Sequence, residues 1–244
     1  MKIEASAASD IGRVRKSNQD SVGCFPDLAL FLVADGMGGL QDGEIASRLA
    51  IEHIHGYFAD PTKNGEDWAP DGGLSEAVLA ANQRLLREAA RHGATPQRPT
   101  LGATIVALVL SEAKRTASWA HVGDSRLYRA RRGRLELLTA DDNLPGAPYR
   151  GSTSVPLNLP HTNQLVQALG TSEEVEPTLG EAEVEPGDVY LLCTDGVSGL
   201  LPPEVIESEL VSDSGVEEKA QSLIRLALEA SGRDNASVVL VRVS

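Results

Sequence analysis

Four aspartates stand where short apolar runs of this chain begin or end. Asp35 follows FLVA and precedes Gly36 in LVADGMGG, and Asp195 follows YLLCT and precedes Gly196. Asp124 closes AHVG, and Asp234 stands just ahead of ASVVLVRV. If the fold delivers these ends to one place, each carboxylate pair about 4 Å apart repels by about 4 kcal/mol at an effective dielectric near 20. A stable fold does not keep that arrangement without protons or cations between the groups. A glycine directly after Asp35 lets the backbone turn sharply and brings the Gly36 carbonyl to the same point as the carboxylate. Carboxylate plus carbonyl suits a hard cation, Mg²⁺ or Mn²⁺ rather than zinc, and no loop of the EF-hand kind is present for Ca²⁺. The competing explanation of any one Asp-Gly pair is an ordinary tight turn. Four such sites together favour the cation.

The framework between them reads as α+β. Runs rich in β-branched and apolar residues cover 28–34, 104–110, 116–122, 126–131, 135–139, 189–194 and 236–243, and Arg131-Arg132-Gly133-Arg134 reads as a hairpin turn. Ala46, Leu49, Ala50, His53, Ile54 and Tyr57 form one stripe of an amphipathic helix, and a second helix covers about 74–91. Ser214 with Glu217 three residues on predicts a capping box ahead of a third helix, whose apolar face carries Ala220, Leu223, Ile224, Ala227 and Leu228. Few helices fall between consecutive strands, which disfavours a doubly wound parallel sheet. Residues 60–73 and 142–163 read as loops, and the second is long enough for a functional flap. The 244 residues show no internal repeat and no internal boundary, so one domain over 1–244 is expected.

A formal net charge of −13 argues against nucleic acid or an anionic membrane as the main partner, since both need basic patches. Cys24 and Cys193 form no CxxC pair, which predicts neither a disulfide framework nor a zinc site and suits a reducing cytoplasm. The opening MKIEASAASD has no apolar signal region, and no apolar run is long enough to span a membrane. His53 and His121 are expected to serve packing, and no second histidine stands at metal-ligand spacing from any of them. No Walker-type phosphate loop occurs.

Six blocks, in order along nearly the whole chain, carry a resemblance: SDIGRVRKSNQDS, LVADGMGG with GEIAS, LGATIVALVL, AHVGDSRLYRARRGRLELLTAD, LLCTDGVSGLL and GRDNASVVLVRV. Together they resemble the type 2C metal-dependent serine/threonine protein phosphatases, in particular the bacterial type. The resemblance implies a central antiparallel β-sandwich flanked by α-helices on both faces. It implies that Asp35 bridges two metal ions, that Gly36 adds its carbonyl, and that Asp195 and Asp234 complete the first metal site. Asp20 matches an acidic position near the second ion, acting through water, and Asp124 matches the aspartate that helps hold a third, weaker ion. Arg15 matches the arginine that clamps substrate phosphate, a task suited to a guanidinium fork; Arg13 is its rival.

The implied cofactors are two core ions of Mn²⁺ or Mg²⁺, and the implied chemistry is direct attack of a metal-bridging water on phosphorus, with no phosphoenzyme. Three departures stand out. Gln19 occupies a position that is glutamate in many relatives, Met37 replaces the histidine of animal members, and Asp142-Asn143 replaces the usual His-Ser after LLTAD. Expected partners are phosphorylated proteins, either substrates of a serine/threonine kinase or the kinase itself, met by a monomeric cytoplasmic enzyme. A catalytically weak phosphoprotein-binding module of the same fold, or a structural cation-binding domain, are the rival readings.

Overall fold

The computed structural model describes residues 1–38, 42–60, 70–95, 100–152, 154–161 and 164–244. In chain order the elements are β1 (Ile3–Asp10), β2 (Asp20–Phe25), β3 (Leu30–Gly38), α1 (Asp42–Ala59), α2 (Pro70–Arg91), β4 (Leu101–Ala103), β5 (Ile105–Ser111), β6 (Thr116–Val122), β7 (Arg126–Arg131) and β8 (Arg134–Leu137). There follow β9 (Thr178–Glu183), β10 (Val189–Cys193), the single turn α3 (Asp195–Ser198), α4 (Pro203–Val211), α5 (Val216–Ala230) and β11 (Ala236–Val243). One sheet has the order β1-β11-β10-β7-β8 and the other β2-β3-β5-β6-β9, with β4 paired to the far end of β3. The paired strands run antiparallel.

Period-two alternation explains the layers. In β3, Phe31 and Val33 enter the core between the sheets, where Val106 and Leu108 meet Tyr190, Leu192, Val239 and Val241 of the other sheet. Leu30 and Leu32 point the opposite way, against Ala46, Ala50 and Ile54 of α1 and Val78 and Leu85 of α2. On the far side, Leu191, Val238 and Leu240 pack on Ile206 and Leu210 of α4 and on Leu223 and Ala227 of α5. Central strands buried on both faces therefore read as continuous apolar runs. Each fully buried Leu, Val or Phe contributes about 1.5–3 kcal/mol. The result is an α-β-β-α sandwich, the α+β architecture expected.

Several local expectations need correction. The loop expected over 60–73 overlaps α2, which starts at Pro70 because proline at a first helical position is already set to helical φ; residues 61–69 lie outside the described residues. The capping box does not form: α5 begins at Val216 with Gly215 as its cap and no side-chain cap bond, so Ser214 stands one residue too early. β1, β2 and β9 were not expected, since IEASAASD and TLGEAE are short of β-branched residues. The hairpin at 131–134 is as expected, with Arg131 paired to Arg134 and positive φ at Arg132 (52°) and Gly133 (76°). Among the described residues, no helix is long and apolar enough to cross a membrane.

Candidate metal centre

The acidic groups assemble at one edge of the sandwich. Asp20 on β2 and Asp35 on β3 stand directly opposite each other in register, a pairing that like charges disfavour. Asp20 is buried, and its Oδ2 accepts a 2.9 Å hydrogen bond from the Thr194 hydroxyl. Its Oδ1 is buried with no hydrogen-bond partner. Asp35 is fixed through its backbone: its N–H donates to Thr104 Oγ1 (2.9 Å) and its carbonyl accepts from the Thr104 N–H (2.8 Å).

The sharp turn expected at Gly36 is not there. β3 continues through Gly36, Met37 and Gly38, which pair with Ala103, Gly102 and Leu101 of β4. Glycine is required for another reason: a Cβ at Gly36 would lie 1.9 Å from the Gly43 carbonyl oxygen and 2.6 Å from that of Gln19. Close backbone approach, not chain reversal, dictates the residue.

The other aspartates arrive on separate elements. Asp195 is the first residue of α3, separated from β10 by Thr194 alone, and its Oδ1 is buried without a hydrogen-bond partner. Asp234 lies two residues ahead of β11; its Oδ1 accepts from the Asn235 N–H (2.8 Å) and its Oδ2 from Arg15 (2.7 Å). Asp124 follows β6 after Gly123, whose φ of +104° and tight approach to Thr104 again suit glycine. Arg15, Asp35, Gly36, Asp124, Asp195 and Asp234 line a single open cleft of about 880 Å³. Asp20, beside Asp35 on the neighbouring strand, is not among the residues that line the cleft. Arg13 is held through its backbone to Gly232 (2.7 Å).

Burial and mutual repulsion resist full ionisation of this group. Burial, then the charges of Asp20, Asp195, Asp124 and Asp234, push the Asp35 carboxyl well above its ordinary range. Asp20 is pushed up to about 7, by burial first and by Asp195 and Asp234, against the hydrogen bonds of Ser237 and Thr194. Asp124 is likewise raised to about 7, chiefly by burial and then by Asp195 and Asp141. Asp195 is raised by burial and by Asp234. Arg15 is held charged by its hydrogen bond to Asp234.

Among the described residues, no three histidine, cysteine or acidic side chains close on one point as a full ligand set. The donor types gathered at the cleft, carboxylates with the Gly36 backbone, are the oxygen donors that suit a hard cation of the Mg²⁺ class. The orphaned oxygens of Asp20 and Asp195 fit the same kind of cation, since buried carboxylate oxygens ordinarily have partners.

Two supporting residues escaped the sequence reading. Asn235 Oδ1 accepts from the Gln19 N–H (2.8 Å), while its Nδ2 donates to the carbonyls of Ile11 (2.8 Å) and Ser17 (3.0 Å). It thus staples both ends of the loop that carries Arg15. Thr194 joins Asp20 to the Ser237 N–H. The only signal for Asn235 was its place beside Asp234, and nothing marked Thr194. Arg126 makes a buried two-pronged ion pair with Asp141 (2.9 and 2.8 Å) and donates to the Leu159 carbonyl (2.7 Å). His121 is fully buried on β6, in keeping with a packing role.

The fold and this cleft match known proteins. A sequence model of the family described as Protein phosphatase 2C matches residues 13–237, and the chain belongs to that family. Serine/threonine protein phosphatase PstP of Mycobacterium tuberculosis is 36% identical over 244 residues, covering 99% of this chain and 45% of PstP. The chain therefore spans about half the length of that relative. Serine/threonine phosphatase stp of Listeria monocytogenes is 30% identical over 250 residues, covering 98% of this chain and 95% of stp. Among solved structures, the catalytic domain of PstP in complex with 2 manganese ions has a TM-score of 0.83 at 34% identity, covering 99% of both chains. PppA, described as a key regulatory component of T6SS in Pseudomonas aeruginosa, has a TM-score of 0.85 at 29% identity, covering 99% of this chain and 98% of PppA.

Proposed function

We propose that this chain is a metal-dependent protein phosphatase that hydrolyses phosphoserine and phosphothreonine esters, with two core ions of Mn²⁺ or Mg²⁺. The observation that carries the reading is the half-buried set Asp35, Asp195 and Asp234 around one open cleft that also holds Arg15, with Asp35 repelled by the other two. Membership of the protein phosphatase 2C family and the manganese complex of the PstP catalytic domain support it.

Asp35, the Gly36 carbonyl, Asp195 and Asp234 would hold the two core ions, with Asp35 serving both. Asp20, beside Asp35 on the neighbouring strand, would act through water, and Asp124 would hold a third, weaker ion. Ions held there would supply Lewis acidity, acidifying a water for attack and neutralising phosphoryl oxygens. Arg15 supplies two N–H donors in a fork that fits a phosphate edge, and it orients the ester for in-line attack. Thr104 holds Asp35 by two backbone-directed bonds, and Asn235 holds the Arg15 loop, so neither group has to be ordered when substrate arrives. Met37 lines the cleft and carries no proton to give, so the leaving alkoxide takes its proton from water.

The reading extends to one domain over 1–244 with residues 142–163 as the flap, acting as a monomer in the cytoplasm on phosphoproteins made by a serine/threonine kinase, or on that kinase. Turnover of p-nitrophenyl phosphate and of phosphothreonine peptides with Mn²⁺, abolished by EDTA and by Asp35→Asn, tests it. Absence of metal-dependent turnover on every such substrate would remove it.

A further inference from the structure

Leu144 and Val166 are large apolar side chains left 73% and 64% exposed, and both line the acidic cleft. Exposed apolar residues scattered singly need no explanation. These two are not scattered, and their support is rigid. Asn143, next to Leu144, is fully buried and pairs antiparallel with Leu165, next to Val166. The Val166 N–H donates to the Asp142 carbonyl (2.8 Å), and Asn143 accepts from Gly146 through its side chain (2.8 Å) and from Ala147 through its carbonyl (3.0 Å).

Asp142 anchors this bracket to the site itself. Its Oδ2 accepts from the Gly123 N–H and from Gln167 Nε2, both at 2.8 Å, and Gly123 immediately precedes Asp124. The two apolar side chains are thus presented at a fixed place relative to the carboxylates. Contact with them needs little ordering of the protein, which is the condition under which a small apolar surface yields affinity.

A phosphopeptide whose phosphoryl group sat between Asp35 and Arg15 would share its cleft with Leu144 and Val166. We propose that these two side chains form a subsite for an apolar residue flanking the phosphorylated one, and so set which phosphopeptides are processed fastest. The proposal rests on the phosphatase reading above.

The test is kcat/KM with Mn²⁺ for a series of phosphothreonine peptides that differ only in Leu or Ser at each position flanking the phosphothreonine. At one or more positions the Leu peptide is expected to be about tenfold better, the low end of what an apolar contact discriminates. In Leu144→Ser/Val166→Thr the ratio between the two peptides falls towards one. Because it is a ratio within one protein, partial loss of folded enzyme does not move it. The single variant Val166→Thr, nearly isosteric, gives a partial fall where the double variant is too unstable to assay. Equal rates for Leu and Ser peptides in the wild type, or a preference that survives in both variants, overturn the proposal while leaving the phosphatase reading intact. No turnover of any peptide by the wild type removes the phosphatase reading itself.

Discussion

Arg15 reaches from the loop between β1 and β2 to donate a 2.7 Å hydrogen bond to Asp234, on the loop that leads into β11. The proposed phosphate clamp and a proposed metal ligand therefore share one contact. An ion held by Asp234 would compete for that carboxylate and would free the guanidinium fork for phosphate. Arg15→Ala is expected to raise KM for phosphothreonine peptides about ten- to a hundredfold, the equivalent of losing a charge-assisted hydrogen bond of about 1.5–3 kcal/mol. Arg15→Lys, which keeps the charge and loses the fork, should recover only part of it. Steady-state kinetics with Mn²⁺ separates KM from kcat; an unchanged KM in Arg15→Ala would remove the clamp.

Asn235→Ala should act at a distance through the same loop. It removes three hydrogen bonds, to Ile11, Ser17 and Gln19, and leaves their backbone groups without this partner. The expected loss of stability is about 1–3 kcal/mol, measured by urea unfolding. KM for phosphopeptides should rise along with it, because Arg15 loses its fixed position. A variant that loses stability with unchanged KM would make Asn235 a purely structural residue.

The carboxylate cluster trades stability for binding. Asp35→Asn removes one of the buried repelling charges, so without metal the variant should melt higher than the wild type by about 2–4 °C for each kcal/mol relieved. Added Mn²⁺ should raise the melting temperature of the wild type, which binds it only when folded. It should leave that of Asp35→Asn nearly unmoved. Thermal scans with Mn²⁺ and with EDTA read both effects, and equal metal shifts in the two proteins would contradict the assignment.

His161 gives the fold an acid sensitivity separate from the cleft. Burial first, and then the Arg126 charge, lower its pKa to about 4, against the opposing pull of Asp141. Between about 4 and the unfolded value of 6.5, the unfolded chain binds the proton that the folded one refuses. Stability on this account is full above pH 6.5 and is lost as pH falls towards 4, on the order of 2 kcal/mol by pH 4.5. His161→Gln should flatten that part of the profile. Urea unfolding of both proteins between pH 7 and 4.5 checks it, and parallel profiles would rule out the histidine.

How much was legible in the sequence depended on the kind of signal. Asp35, Asp124, Asp195 and Asp234 were visible because apolar strands frame them, and the cleft gathers all four. The reason for Gly36 was misread, since a glycine needed for close approach to Gly43 looks the same in sequence as one needed for a turn. β1 was missed because its alternating small residues have weak strand preference, and its pairing with β11 supplies what the sequence lacks. Ser214 failed as a cap because helix ends are settled by tertiary packing within a residue or two. Asn235 and Thr194 act through hydrogen bonds to residues about 40 to 220 positions away, which no local pattern encodes.

Crystals soaked in Mn²⁺ and measured at the manganese absorption edge would locate the ions without reference to activity. Two anomalous peaks should lie in the cleft, both within ligand distance of Asp35, with Asp195 and Asp234 around one and the Gly36 carbonyl beside them. Peaks elsewhere on the molecule, or an empty cleft at saturating Mn²⁺, would mean that these carboxylates are not a metal centre.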